Sequence, residues 1–281
     1  MSETERVALV LSGGGARGAL QVGGLHALLE LGWKFQWVVG TSAGALNAAL
    51  WSLYGGDEEA AKRLEHVWLD AQGANLLPPP SWRMLIDLLF FHGAEKHQSR
   101  LRHFLEKHGL SPDVRFRDLP GPEVRLVTAD IYGLQMVVYG DDPEESVQEG
   151  VLASTALVPW MPLVKVRGRG LMDGGVVSNV PVEVALRRGA THIVVLDVFD
   201  PRVTLPDTRN PFTFLWRVTD TMVRRMVHLE LSLAEAWHVP VEYIHLQSPT
   251  PIPVWDFNHT KDLLAHGYSQ VYTQLLATGP Q

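Results

Sequence analysis

The chain has 281 residues, of which 46% are hydrophobic and 20% are charged; this composition is typical of a globular protein with a sizeable core and excludes a disordered one. The formal net charge of −7 argues against nucleic acid as the main partner, and against recruitment to an anionic membrane by charge alone. Because the chain has no cysteine, disulfides, thiolate nucleophiles and cysteine-based metal sites are excluded.

The N-terminal residues 1–6 are polar and acidic and lack the apolar stretch of a signal peptide. No apolar run reaches the roughly 18 residues that a membrane-spanning helix needs. We therefore expect a cytoplasmic protein.

The beginning of the chain predicts two units of strand, loop and helix. A buried strand over residues 6–12 is followed by a glycine-rich loop at 13–18 and a helical stretch that reaches Leu31. A second strand near 37–39 leads through a tight turn into a helix over 43–54. This alternation predicts an α/β layered fold with a parallel sheet.

The later elements continue the same mixture. Helical patterns cover residues 57–72, 97–108, 144–156, 181–188, 212–237 and 260–277, and strand patterns cover 124–132, 134–139, 163–166, 192–198 and 241–246. Gly133, between two of these strands, predicts a hairpin. No internal repeat or low-complexity segment divides the chain. We expect one domain over 1–281, in which 201–281 supplies C-terminal helices and one strand.

The sequence Gly40-Thr41-Ser42-Ala43-Gly44 has the Gly-x-Ser-x-Gly form and lies between a predicted strand and a predicted helix. This is the context of a nucleophile elbow. A serine in such a strained turn needs small neighbours two residues away on either side, because the strand and helix backbones approach closely there. The start of the helix would also favour negative charge at Ser42. A glycine-rich turn with an incidental serine would have the same five residues.

The first glycine loop has two interpretations. Gly13-x-Gly15-x-x-Gly18 matches the dinucleotide-binding fingerprint, but residues 31–56 contain no Asp or Glu to hold a ribose and no Arg to hold its phosphate. The other interpretation is an oxyanion hole, in which backbone N–H groups of residues 13–15 and of Ala43 stabilise the charge that develops in acyl transfer. Arg17 would hold this loop or add positive potential, or else be an exposed arginine of the first helical turn.

A serine nucleophile needs a base, and the residues by themselves leave two candidates open. One is a histidine downstream of Asp173, although none of them lies in a recognisable loop signature: His192, His228, His238, His245, His259 and His266. The other is Asp173 itself, at the end of an apolar strand and followed by Gly174-Gly175. An ordinary aspartate of an Asp-Gly turn would have the same surroundings.

Three motifs in this order resemble the patatin-like phospholipases, and the chain is similar to a bacterial member. They are Gly-Gly-Gly-Ala-Arg-Gly at 13–18, Gly-Thr-Ser-Ala-Gly at 40–44 and Asp-Gly-Gly at 173–175, with further matches at 153–156 and 179–181. The resemblance covers most of residues 5–200. It implies a three-layer α/β/α fold with a mainly parallel central sheet. It also implies a lipid acyl hydrolase of the phospholipase A or carboxylesterase type.

The resemblance further implies a Ser-Asp dyad that needs no histidine, metal or cofactor. Ser42 maps onto the nucleophile and Asp173 onto the general base. The implied oxyanion loop comprises Gly13, Gly14, Gly15, Arg17 and Ala43, and the motif glycines are Gly18, Gly40, Gly44, Gly174 and Gly175. Because an unperturbed aspartate is a weak base for a hydroxyl, we expect Asp173 to be partly desolvated and within hydrogen-bond reach of Ser42.

The implied partner is a phospholipid or another acyl-ester lipid, with peripheral contact to a membrane or micelle surface. The apolar segment 82–91 would form a lid or a core helix, and the core helix is favoured because its large apolar residues fall on one face: Trp82, Leu85, Leu88 and Leu89. In the helix at 212–237 a solvated face is favoured over binding of lipid phosphate for Arg217, Arg224 and Arg225. Where the family has Pro-Gly beside the site, this chain has Val158-Pro159.

A second class of function remains open alongside the enzyme. The chain could be a non-catalytic regulatory protein, or a protein that binds acyl ligands on the same fold. The presence of both dyad residues and of the loop glycines favours the enzyme.

Overall fold

The described strands form one mixed sheet. The computed structural model describes residues 5–77, 79, 94–158, 160–203 and 211–278. The helices described are α1 (Gly18–Glu30), α2 (Ala43–Leu53), α3 (Glu58–Ala74), α4 (Ala94–Lys107), α5 (Val147–Ser154), α6 (Val182–Arg187), α7 (Pro211–Ala236) and α8 (Thr260–Thr278). The strands are β1 (Val7–Leu11), β2 (Trp37–Thr41), β3 (Glu123–Asp130), β4 (Gln135–Tyr139), β5 (Val164–Val166), β6 (Arg169–Asp173), β7 (His192–Asp197) and β8 (Val241–His245). The helix predicted at 82–91 lies outside the described residues.

The strand order is β5-β6-β3-β2-β1-β7-β8, and β4 pairs with β3 beside this path. Strands β3, β2, β1, β7 and β8 run parallel to one another, whereas β4, β5 and β6 add antiparallel pairs at one end. The hairpin predicted at Gly133 is confirmed by the pairing of β3 with β4. The central strands are short apolar runs because both of their faces are covered.

Helices cover both faces of the sheet, and the alternation of side chains along β1 divides the core in two. Val7, Leu9 and Leu11 belong to the larger cluster, which includes residues of α1 to α5 and α8. Ala8 and Val10 belong to the smaller cluster with α6 and α7. The predicted α/β/α architecture with a mainly parallel central sheet is confirmed.

The C-terminal segment shares this core. Strand β8 pairs with β7, and α8 packs closely along α1. A Cβ added at Gly23 would lie 1.9 Å from the Leu264 carbonyl oxygen, and one at Gly267 would lie 1.9 Å from that of Leu20, so only glycine permits this approach. Within the described ranges, no helix has both the length and the apolar character to cross a membrane.

Candidate active site

Ser42 occupies the sharp turn between β2 and α2. Its φ of 55° and ψ of −118° form a backbone conformation that non-glycine residues rarely adopt. A Cβ at Gly40 would lie 2.3 Å from the Gly44 carbonyl oxygen, and one at Gly44 would lie 2.2 Å from that of Leu11. The predicted close approach of strand and helix around the serine is therefore confirmed.

Strand β3 explains how Ser42 and Asp173 meet. Strand β2 ends at Thr41, opposite Val127 of β3, and β6 runs in the opposite direction and ends at Asp173, opposite Thr128. Because β4 occupies the other edge of β3, β2 and β6 share one edge and approach each other end to end. The residue that follows β2 and the residue that ends β6 therefore come together.

The Asp173 carboxylate is buried, with 4% of the residue exposed. Burial raises its pKa to about 6, and hydrogen bonds from the Ser42 side chain and from the Gly175 N–H oppose this rise. The Gly175 N–H lies 2.8 Å from Oδ1. No described cation forms an ion pair with Asp173. The expected desolvation of Asp173 is confirmed, and the Ser42 side chain lies close enough to lower the pKa of this carboxylate.

Ser154, at the end of α5, holds the backbone of the turn. The Ser42 N–H donates to the Ser154 Oγ at 2.9 Å, and this hydroxyl donates to the Val127 carbonyl at 2.7 Å. Just beyond the helix, the Ala156 carbonyl accepts from the Asp173 N–H at 3.1 Å. One end of α5 thus fixes the backbone of both residues of the predicted dyad. Sequence reasoning included Ser154 in a motif but assigned it no role; its signal was a serine directly after the apolar residues Val151, Leu152 and Ala153.

The glycine loop lies directly against the serine. A Cβ at Gly13 would lie 3.2 Å from the Ser42 Cβ, so a larger residue would crowd it. The Gly13 N–H donates to the Asn179 carbonyl at 3.2 Å, which corrects the expectation that this amide is available to an oxyanion. Gly14 and Gly15 line the cavity and, among the described contacts, their N–H groups have no acceptor. Gly15 has a φ of 58°, which favours glycine.

The Ala43 N–H group and three of the predicted motif glycines also belong to this region. Ala43 is the first residue of α2, where an N–H has no acceptor within the helix, and it also lines the cavity. Three motif glycines are sites of close packing: Gly18 lies against the Trp68 ring, Gly174 against the Val127 carbonyl, and Gly175 against the Asp173 and Asn179 side chains.

Arg17 is buried, with 6% exposed, so the interpretation as an exposed arginine is wrong. Its Nε donates to the Gly14 carbonyl and its guanidinium donates to the Asp200 carbonyl, both at 3.3 Å. Burial lowers the pKa of Arg17, and the nearby carboxylates of Asp200, Asp197 and Asp220 oppose this effect. Arg17 therefore ties the glycine loop to the segment that follows β7.

A cavity of about 760 Å³ opens over Ser42 and Asp173. Its size is that of a small-molecule site. Apart from the groups already described, most of its lining is apolar: Leu46, Trp68, Leu157, Val158, Met161 and Phe257. Asn179, Thr155, Thr219 and Asp220 add polar atoms. The arrangement places a hydroxyl and a buried carboxylate at the wall of a space suited to a hydrocarbon chain.

The histidine alternative has no support in the described part of the chain, because no histidine there lines the cavity. His192 lies at the start of β7, beside Glu5, with 3.3 Å between its Nδ1 and the carboxylate. That is the amino end of a strand parallel to β1 and β2, whereas Ser42 and Asp173 lie at the carboxyl end of β2. The described residues also contain no group of three or more His, Asp or Glu residues placed to hold a metal ion.

Comparison with known proteins agrees with these motifs. A family model for the patatin-like phospholipases matches residues 9–186. The chain belongs to the patatin-like phospholipase family. Patatin-like phospholipase domain-containing protein 6 of Mus musculus is 33% identical over 202 residues, which are 68% of this chain and 13% of that protein. Lysophospholipase NTE1 of Lodderomyces elongisporus is 29% identical over 205 residues, which are 69% of this chain and 12% of that protein. These patatin-like relatives are several times longer than the chain.

Solved structures share the fold at low sequence identity. VipD from Legionella pneumophila has a TM-score of 0.53 at 16% identity, with coverage of 99% of this chain and 67% of that one. Human GIVD cytosolic phospholipase A2, in complex with methyl gamma-linolenyl fluorophosphonate, has a TM-score of 0.52 at 13% identity, with coverage of 98% and 59%. The patatin-like α/β/α arrangement is thus shared across very different sequences.

Proposed function

We propose that the chain is a lipid acyl hydrolase of the phospholipase A or carboxylesterase type, with Ser42 as nucleophile and Asp173 as general base. The observation that carries this proposal is the proximity of a serine in a strained strand–helix turn to a buried carboxylate whose pKa is raised to about 6, both at the wall of an apolar cavity. Two relatives are named Lysophospholipase NTE1 and, in Drosophila melanogaster, neuropathy target esterase sws, which supports ester hydrolysis.

In the first half-reaction, Asp173 accepts the hydroxyl proton as the Ser42 Oγ bonds to the ester carbonyl carbon, and the carbonyl electron pair moves onto oxygen. The tetrahedral intermediate then collapses. Its C–O bond to the alcohol breaks, Asp173 returns the proton to the leaving oxygen, and the acyl group stays on Ser42.

In the second half-reaction, water attacks the acyl carbon and Asp173 takes one of its protons. Collapse of this second intermediate breaks the bond to Oγ, and the proton returns to Ser42. The fatty acid leaves and the dyad is restored. A carboxylate with a pKa of about 6 suits this cycle, because it is a stronger base than an ordinary aspartate yet stays ionised at neutral pH.

The amides of Gly14, Gly15 and Ala43 would stabilise the oxyanion in both intermediates. Each oxyanion donor of this kind is worth about 3–4 kcal/mol in comparable enzymes. Arg17 contributes by position, since its hydrogen bond to the Gly14 carbonyl fixes the loop that carries two of the amides. The apolar lining would take the acyl chain, because hydrocarbon transferred from water gains roughly 0.8 kcal/mol for each buried CH₂ group.

A fluorophosphonate probe tests the nucleophile directly. The parent protein and Ser269→Ala, a control at an exposed serine of α8, should each take up one equivalent of probe, and Ser42→Ala should take up none. Equal labelling of the parent and Ser42→Ala would remove Ser42 from the mechanism. If the parent protein binds long-chain fatty acid but neither reacts with the probe nor hydrolyses esters, the proposed function is wrong and the chain is an acyl-binding protein.

A further inference from the structure

Helix α7 presents a row of apolar side chains to solvent. Phe214 is 55% exposed, Val218 38%, Met222 56% and Leu229 51%, and we call these four residues the outer stripe. At 3.6 residues per turn, they fall within roughly 80° of one another around the helix axis. Single exposed apolar residues are ordinary, but several aligned on one face mark an interaction surface.

Arg225 falls within the outer stripe, and Arg224 lies about 80° to one side of it around the helix axis, near Tyr243. Arg224 and Arg225 are exposed, and neither forms an ion pair with a described residue. The acidic residues of this part of α7 point elsewhere: Asp220 lines the cavity, and Glu230 is 9% exposed and bonded to the Ser178 hydroxyl. The chain as a whole has a net charge of −7, so the positive charge of this exposed face is opposite in sign to that of the protein.

The other side of α7 borders the cavity. Trp216, Thr219 and Val223 line it, and Thr219 is also exposed, so α7 forms part of the rim. Val176, which is 37% exposed and also lines the cavity, lies in the turn against which α7 packs. The outer stripe therefore lies about one helix diameter, roughly 10 Å, from the cavity mouth.

We propose that the outer stripe, with Arg224 and Arg225, docks α7 onto the surface of a phospholipid bilayer that contains anionic lipid. The apolar side chains would enter the boundary between headgroups and acyl chains, and the arginines would contact lipid phosphates. A bilayer fits better than a second copy of the chain. In a two-fold dimer the same patch faces itself, which would bring Arg224 and Arg225 of both copies together without a described carboxylate to pair with them.

Docking in this orientation places the cavity rim at the lipid surface, from which a substrate lipid could enter. The inference rests on the proposed function only for the choice of lipid as occupant. Binding to vesicles needs no turnover, so the two proposals can be tested separately. Ser42→Ala serves as the background for binding, because it leaves the vesicles intact.

The test is flotation of the protein with phosphatidylcholine vesicles, with and without phosphatidylglycerol. We expect Phe214→Gln with Met222→Gln to weaken binding to the mixed vesicles about tenfold or more. Arg224→Gln with Arg225→Gln should weaken it about 25-fold at low salt, with little difference left at high salt. Two controls lie on other helices: Leu276→Gln, at a residue that is also 56% exposed, and Arg102→Gln, at an exposed arginine. Both should bind within about twofold of the background protein.

Three results would contradict the proposal that the outer stripe docks onto a bilayer. One is equal binding by the stripe variants and the background protein, and another is equal loss in the Leu276→Gln control. The third is a dimer in light scattering that the stripe variants convert to monomer, with no vesicle binding in any form. The vesicle binding could follow the expected pattern while Ser42 proves unreactive towards the probe. That result would support the docking surface and contradict the proposed hydrolase function.

Discussion

Asp173 and Asp200 are equally buried, each with 4% exposed, yet their pKa values move in opposite directions. Burial dominates at Asp173 and raises its pKa to about 6. Burial also raises the pKa of Asp200, but hydrogen bonds from Arg202 and the charge of Arg17 outweigh it, and the net shift is downward. The Arg202 guanidinium donates to both Asp200 oxygens, at 2.9 and 2.7 Å.

The two regions differ in the presence of a cation beside the carboxylate, and Asp173 is also the more strongly desolvated of the two. A carboxylate that is buried without a cation keeps a high affinity for protons, as a general base requires. A carboxylate that is paired with arginine becomes a weak base and a firm structural contact. Asp200 belongs to the turn whose carbonyl holds Arg17, and Arg17 in turn holds the glycine loop. The proposed active site, with its unpaired carboxylate, is therefore held in place by a neighbouring region in which the carboxylate is paired with arginine.

The largest effect is expected for Asp173→Asn. Loss of the base should lower kcat for a soluble ester about 100- to 10,000-fold. The same change should raise the free energy of unfolding at pH 8 by up to about 3 kcal/mol, because it removes a buried charge whose pKa is raised to about 6. Steady-state kinetics and chemical denaturation measure the two effects. A variant that loses both activity and stability would contradict the assignment of Asp173 as an unpaired buried base.

The pH dependence sharpens the comparison. The value of kcat/KM for an uncharged ester should fall about tenfold per pH unit below an apparent pKa of about 6, since protonated Asp173 cannot act as a base. Its folded pKa is raised, so its stabilising contribution is complete below the unfolded pKa of about 3.9 and is lost as the pH rises through about 6. An apparent kinetic pKa near 4 would mean that Asp173 is not desolvated in the free enzyme.

Asp200→Asn should act in the opposite direction to Asp173→Asn on stability. We expect the free energy of unfolding at neutral pH to fall by about 2 kcal/mol, which is about 30-fold in the folding equilibrium, because the variant leaves Arg202 without its ionised acceptor. The folded pKa of Asp200 is lowered, so its contribution is present above about pH 3.9 and is lost as the pH falls through the folded value. Denaturation of both variants at two pH values checks this; equal shifts of one sign would break the comparison.

The smallest effect is expected for Ser154→Ala. The change leaves the Ser42 N–H without its acceptor, and we expect kcat and the rate of fluorophosphonate labelling to fall about tenfold. Ser146→Ala is a matched control, because Ser146 accepts from the Glu149 N–H at the other end of α5 and does not touch Ser42. Ser146→Ala removes a helix cap and Ser154→Ala removes two hydrogen bonds to neighbouring elements, so both variants should be less stable, but only Ser154→Ala should slow labelling. If Ser154→Ala and Ser146→Ala were labelled at equal rates, Ser154 would have a structural role only.

Local sequence patterns predicted the elements and their order well. Gly40 and Gly44 were expected to permit a close strand–helix approach, and both do so. The three motifs indicated the family and the fold, because each motif is a short segment whose backbone geometry depends on its own residues. Apolar runs also predicted seven of the described strands within a few residues, and they predicted that Asp173 ends an eighth, β6.

The roles of single polar residues depended on distant parts of the chain. Arg17 was equally consistent with an exposed position, and its burial follows from contact with the segment after β7. Gly13 was expected to offer a free amide, but Asn179 accepts from it. Ser154 accepts a hydrogen bond from the Ser42 N–H only because α5 ends beside the turn after β2. No local pattern reports such partners, since each lies far away in sequence.

By itself the sequence determined the strained turn at Ser42, the glycine loop and the strand that carries Asp173, since backbone preference and apolar alternation act over a few residues. Only the tertiary structure decided that β2 and β6 meet end to end along β3, and so that Ser42 lies beside Asp173. It also decided that arginine side chains lie beside Asp200 and not beside Asp173. Burial and pairing are properties of the assembled core, and they set the affinity of each carboxylate for a proton.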